Sequence, residues 1–323
     1  MTTERPRLTY GPLSVDLNPY GARTTALRFH DRDLILPTPE AFDPFGVWSD
    51  AGAIVGPVGN RITTGDHLPG WDGPTDGQVM LHGDTEGMQA GTQHLAWETG
   101  KVTPRSALFT LELPVGHGGF KAHRSLAVRY TLPRTNALRI VMEAQTDSPT
   151  LMSLTHHPYW ALGPGTGIAD HRLQVLARNV LPIDAQTRPT GEVMPVAGTE
   201  YDFNIPRALI PGAPDLDNTY CLSNARLETE RAVAYLEAPD GWAMELWTNE
   251  PGLVVFDGRI TDGFGLAPYA GCCLEPQMWP DAPRHPHFPK VTFAPGQISR
   301  TIIEYRFKVG SGQMRTNGTS QGL

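Results

Sequence analysis

The runs ALFTLEL (107–113), SLAVRYTL (125–132) and ALRIVMEA (137–144) decide the architecture. In the first, Phe109, Leu111 and Leu113 share one side of an extended chain, and Thr110 and Glu112 share the other. In the second, Leu126, Val128, Tyr130 and Leu132 oppose Arg129 and Thr131. In the third, Leu138, Ile140 and Met142 oppose Arg139 and Glu143. A period of two with one apolar face is the mark of a half-buried strand in an antiparallel sheet. The pattern returns near the end of the chain, where Thr301, Ile303, Tyr305 and Phe307 oppose Glu304, Arg306 and Lys308.

Working outward, residues 232–248 predict a hairpin, because Pro239-Asp240-Gly241 supplies turn chemistry between two alternating runs. No amphipathic pattern reaches three helical turns, so βαβ units are excluded. Thirty-four glycines and 30 prolines make up about a fifth of the 323 residues, which excludes helical bundles. Sheets without helices must cover one another, so the expected fold is all-β, a large antiparallel β-sandwich. No composition shift marks a linker. Residues 1–308 read as one domain, and the polar, Gly-rich tail 309–323 reads as disordered.

A net charge of −8 repels phosphate backbones and anionic lipid, which argues against nucleic acid and membrane partners. The N-terminus lacks the apolar core of a signal peptide, and no run approaches ~20 apolar residues. Three cysteines, two of them adjacent (Cys272 and Cys273), make no disulfide framework, and a reducing cytoplasm is the simplest compartment. The run Tyr269–Leu274 reads as strand, which sends the two adjacent thiols to opposite faces.

Polar residues interrupt the strand pattern in five clusters: VGNRI (58–62), LHGD (81–84), LTHHPYW (154–160), LDNTY (216–220) and CLEPQMWPDAP (273–283). Glu275 stands out, because a carboxylate among Cys273, Leu274 and Met278 needs partners.

Together, GNRI (59–62), LHG (81–83), LTHHPYWAL (154–162), IADHRLQV (168–175), LEPQMWPDAPRHPHFP (274–289) and the final strand IIEYRF (302–307) resemble the aldose 1-epimerase (galactose mutarotase) family. The resemblance implies the family's sandwich, the supersandwich, with a monosaccharide on its open face. It implies that Glu275 is the general base and His157 the general acid. It implies sugar binding by Arg61, His82 and Asp217, with Asn60 alongside Arg61. Trp160 and Trp279, next to the catalytic pair in sequence, are candidates to cover the apolar face of a sugar. Three positions depart from the family pattern: His156 where Asn is common, Asp84 after the LHG motif, and apolar Val254 where a Gln often contacts sugar.

Such an enzyme interconverts α and β anomers of a free aldose. Ring opening removes a proton from the anomeric hydroxyl and delivers one to the ring oxygen, and a carboxylate–imidazolium pair does both. The expected resting state is an ionised Glu275 beside a protonated His157. No cofactor or metal is required, the partner is a small monosaccharide, and a monomer is the default. The alternatives are a non-catalytic carbohydrate-binding or regulatory protein on the same fold, a two-His-one-carboxylate metal enzyme using His82, His156, His157 and Glu275, and a glycosidase using Asp217 and Glu275. Adjacent strand residues point to opposite faces, so only one of His156 and His157 can face a shared site. The proline-spaced loop Asp281–Pro289 is expected to buttress the site, with His285 and His287 structural.

Overall fold

The three deciding runs form neighbouring strands, Ser106–Leu113, Arg124–Arg134 and Ala137–Thr146, in a computed structural model that describes residues 5–310 except 87, 164 and 166. The side of each run expected to be buried faces the core: Phe109, Val128, Tyr130 and Ile140 are all inaccessible to solvent, and Leu111 is half-buried. They belong to an antiparallel sheet of nine strands, in which Ser299–Lys308 lies between Ala137–Thr146 and Ala243–Thr248. The hairpin expected around Pro239-Asp240-Gly241 joins Arg231–Glu237 to Ala243–Thr248.

Glu304 departs from the alternation. It points away from the core, yet it is only 2% exposed. Arg139 and Arg306 cover it, at 2.8 and 2.6 Å, so the outward carboxylate is buried by guanidinium groups rather than by apolar packing.

A second sheet of six strands runs in the order Tyr159–Trp160, Cys272–Gln277, Gly252–Phe256, Asp217–Cys221, Asn179–Leu181 and Met194–Pro195. A four-stranded sheet is built from Arg7–Tyr10, Leu13–Asn18, Arg23–Phe29 and Arg32–Asp33. Side chains from all three sheets meet in one large core, among them Tyr130, Met142 and Tyr305 from the first, Leu274, Leu253 and Val255 from the second, and Val15 and Leu27 from the third. The molecule is a large antiparallel β-sandwich, and its helical segments among the described residues are short 3₁₀ turns. Each fully buried large apolar side chain contributes about 1.5–3 kcal/mol. The expected tail lies outside the described residues from 311 onward.

Candidate active site

The strand Cys272–Gln277 starts three residues later than the sequence suggests and continues through Pro276, so Glu275 sits inside it rather than at its end. Its alternation divides the six-stranded sheet. Cys272 and Leu274 enter the main core, together with Leu253, Val255 and Tyr220 from the neighbouring strands. Cys273 and Glu275 take the other face. Register places Tyr159 and Phe256 opposite Cys273, Asp217 opposite Phe256, and Val254 opposite Glu275. Tyr159, Phe256, Asp217 and Glu275 line a cavity of about 290 Å³, a size that suits one small ligand.

The opposite wall comes from the two-stranded hairpin Arg61–Thr63 and Val79–Leu81. Asn60 and His82 flank it, both with left-handed backbones, φ 57° and 53°. That conformation is uncommon for a residue other than glycine, although Asn and His adopt it more readily than most. The backbone N–H of Asn60 donates to Nδ1 of His82 at 3.0 Å. Nδ1 is therefore the acceptor, and the ring carries its proton on Nε2. Burial lowers the His82 pKa to about 4, so the ring is a neutral donor at physiological pH. The proline-spaced loop braces this wall: the Asp281 carboxylate accepts from the backbone N–H of Thr63 at 2.7 Å and from its hydroxyl at 3.0 Å. The loop includes a 3₁₀ turn, Ala282–Arg284, so it is less extended than its prolines suggest. His285 and His287 stay outside the cavity, and His287 pairs with the carbonyl of Gly191.

At the centre, His157 Nε2 lies 3.4 Å from Glu275 Oε1. Both side chains are almost wholly buried, and Cys273 Sγ lies 3.6 Å from His157 Nδ1. Burial pushes the Glu275 carboxyl up to about 7, against the opposing pull of His157. Glu275 is thus poised to titrate near neutrality, rather than fully ionised as expected beside a protonated His157. Arg61 pairs with Asp217 at 3.3 Å. Burial raises Asp217 above the usual carboxylate range even beside Arg61 and Arg259.

The cavity therefore brings together Glu275, His157, Arg61, His82, Asp217 and Asn60. Trp160 and Trp279 do not line it. Trp160 follows Tyr159 on a strand and so takes the opposite face, where it packs against Tyr305 and Phe307 in the core. Trp279 lies beyond the end of the strand, against Phe288, with its N–H donated to the Pro251 carbonyl. The aromatic wall is Tyr159 and Phe256 instead. His156 also faces away, between the Tyr305 hydroxyl (3.2 Å) and the Thr24 hydroxyl (3.1 Å), and burial holds it neutral, with a pKa of about 3. Asp84 turns to His94 at 2.6 Å and does not line the cavity. Two of the three departures from the family pattern thus lie outside the site. Val254 alone remains beside Glu275, buried and apolar.

With His156 on the opposite face, the alternative metal set of His82, His156, His157 and Glu275 is split. His157, Cys273 and Glu275 do offer three donor atoms, all within 4.8 Å of one another. Burial raises the Cys273 thiol well above its ordinary pKa. Asp50, Thr187, Arg259 and Ile260 also line the cavity without any warning from the sequence. They come from loops, where no periodicity announces direction.

A mostly antiparallel sandwich that gathers a paired carboxylate and imidazole with several polar side chains in one small cavity defines a class of small-ligand-binding β-sandwich proteins. The chain belongs to the aldose 1-epimerase family: the family's sequence model matches residues 7–306. Galactose mutarotase from Bos taurus is 31% identical over 333 residues, covering 95% of each chain. Aldose 1-epimerase from Escherichia coli is 29% identical over 281 residues, 79% of each. The crystal structure of an aldose epimerase homologue from C. elegans superposes with a TM-score of 0.83 at 25% identity, covering 95% of this chain and all of that one.

Proposed function

We infer that this chain is an aldose 1-epimerase, an isomerase that interconverts the α and β anomers of a free monosaccharide. Family membership across residues 7–306 supports the activity. The observation that carries the assignment of residues is the His157–Glu275 pair, 3.4 Å apart on the cavity wall.

Glu275 takes the proton of the anomeric hydroxyl while His157 delivers one to the ring oxygen, and the C1–O5 bond opens to an aldehyde. Rotation about C1–C2 presents the other face of the carbonyl. On closure the C5 hydroxyl returns its proton to His157, Glu275 returns its proton to O1, and the protein is regenerated. A base that titrates at about 7 has its driving force and its ionised fraction balanced near neutral pH. The Nε2–H of neutral His82 suits the oxygen that carries charge during opening. Arg61, Asp217 and Asn60 suit sugar hydroxyls, and Tyr159 and Phe256 suit the apolar ring face. The match over residues 7–306 supports one domain from 1 to 308. Three buried free cysteines support a reducing cytoplasm.

The test is anomer exchange of neutral aldoses, beginning with galactose because the animal relatives are named for it, followed by polarimetry or NMR. Acceleration over the buffer rate is expected; no acceleration with any common aldose removes the activity.

A further inference from the structure

Around the cavity most charges are already matched. Arg61 faces Asp217 at 3.3 Å, Arg259 faces Asp257 at 3.0 Å, and His157 faces Glu275 at 3.4 Å. Asp50 is different. It lines the same cavity as His82, His157, Tyr159 and Glu275, yet its carboxylate has no hydrogen bond or ion pair among the described residues.

Its position is nevertheless fixed. Arg23, wholly buried, forms no ion pair within 4 Å among the described residues, although the charge of Asp50 acts on it, and it gives three hydrogen bonds to the backbone of the loop that carries Asp50. Its Nη1 donates to the carbonyls of Trp48 (2.8 Å) and Ala51 (3.0 Å), and its Nη2 to that of Ser49 (2.7 Å). The loop is also tied to the proposed acid. Gly52 N–H donates to the His157 carbonyl at 2.8 Å, and His157 N–H donates to the Ala53 carbonyl at 3.0 Å. Gly52 has φ 70°, and a Cβ there would lie 2.0 Å from the Thr24 carbonyl oxygen, so the close approach requires glycine. A part-exposed carboxylate on a backbone held this firmly, bonded to no other described side chain, is open to a donor that enters the cavity.

We propose that Asp50 is a specificity-determining residue, which accepts a hydrogen bond from a substrate hydroxyl and excludes aldoses bearing a negative charge. The proposal rests on the epimerase reading and narrows its substrate class to uncharged sugars. A hydroxyl donating to a carboxylate forms a charge-assisted bond, whereas a carboxylate or phosphate on the sugar would meet a like charge in a partly buried site.

The experiment compares galactose with galacturonic acid in the wild type, Asp50→Asn and Asp50→Ala, by polarimetry and by calorimetric binding. For galactose, both variants are expected to lose about 10–100-fold in kcat/KM, mainly through KM. For galacturonic acid they are expected to gain, so the preference for the neutral sugar collapses. Loss of a charge near Glu275 should also move the acid limb of kcat/KM downward, while His157, Arg61, Asp217, Cys273 and Tyr159 still face that carboxyl. A loop-stabilising role alone would lower both sugars equally; an unchanged ratio of the two sugars in Asp50→Asn overturns the proposal. If the wild type turns over no aldose, the epimerase reading fails. The binding arm then still decides for Asp50, since unchanged galactose and galacturonate affinities in both variants would remove it from the site.

Discussion

On one face of the six-stranded sheet Cys272, Leu274, Leu253, Val255 and Tyr220 close the main core; on the other, one residue along the same strands, stand Cys273, Glu275, Phe256 and Asp217. His156 and His157 repeat the contrast in a single dipeptide. The first is sealed between two hydroxyls and held neutral, and the second pairs with a carboxylate on a cavity wall. The difference teaches that burial alone does not separate structure from chemistry here. Glu275 and Leu274 are both almost inaccessible, at 2% and 0%. What separates them is whether the buried group has an apolar or an ionisable partner.

Substitutions on the two faces should therefore fail in different ways. The largest effect is expected at the acid–base pair. Glu275→Gln and His157→Asn should each lower kcat by about 10²–10⁴-fold. Far-ultraviolet circular dichroism and melting should stay close to wild type, and near-normal polarimetric rates in either variant would erase that half of the pair. Leu274→Ala, one residue away, should do the reverse: lose about 2–5 kcal/mol of stability by denaturant titration while the folded fraction keeps its kcat. A selective loss of kcat without destabilisation would break the division of faces.

His156→Asn should cost about 1–3 kcal/mol, because the Tyr305 and Thr24 hydroxyls lose a buried partner, again with kcat preserved. If activity instead collapsed in step with His157→Asn, the two histidines would not be functionally distinct. The smallest expected change is in pH. Glu275 must be ionised to act as base, and burial raises it to about 7. Activity should therefore rise with pH through about 7 and fall roughly tenfold per unit below it. An acid limb near the ordinary carboxylate value of 4.5 would show that the burial of Glu275 does not govern its titration.

The strands were legible because alternation is local: each inward residue is named by the two on either side of it. That is why Phe109, Val128, Ile140 and Tyr305 could be assigned to the core without coordinates. Glu275, His157, Arg61, His82, Asp217 and Asn60 were legible through motifs, and they converge on one cavity. Trp160 lies near His157 in sequence but not on its face, because an odd offset along a strand reverses the face, and it packs in the core instead. Asp84 and His156 depart from the family pattern, yet each finds its partners outside the cavity.

By itself, the chain determined its β-architecture and the opposite directions of Cys272 and Cys273, because each depends on residue type and on a period of two, while its motifs, through the family they resemble, pointed to the proposed pair Glu275 and His157. Tertiary structure decided which face became the cavity, that Tyr159 and Phe256 rather than the tryptophans form its aromatic wall, and that Asp50 enters it. It also set the titration of Glu275. Those outcomes depend on strand register, on loop clamps such as Arg23 and on how much solvent is excluded, and all three are sums over residues far apart in sequence.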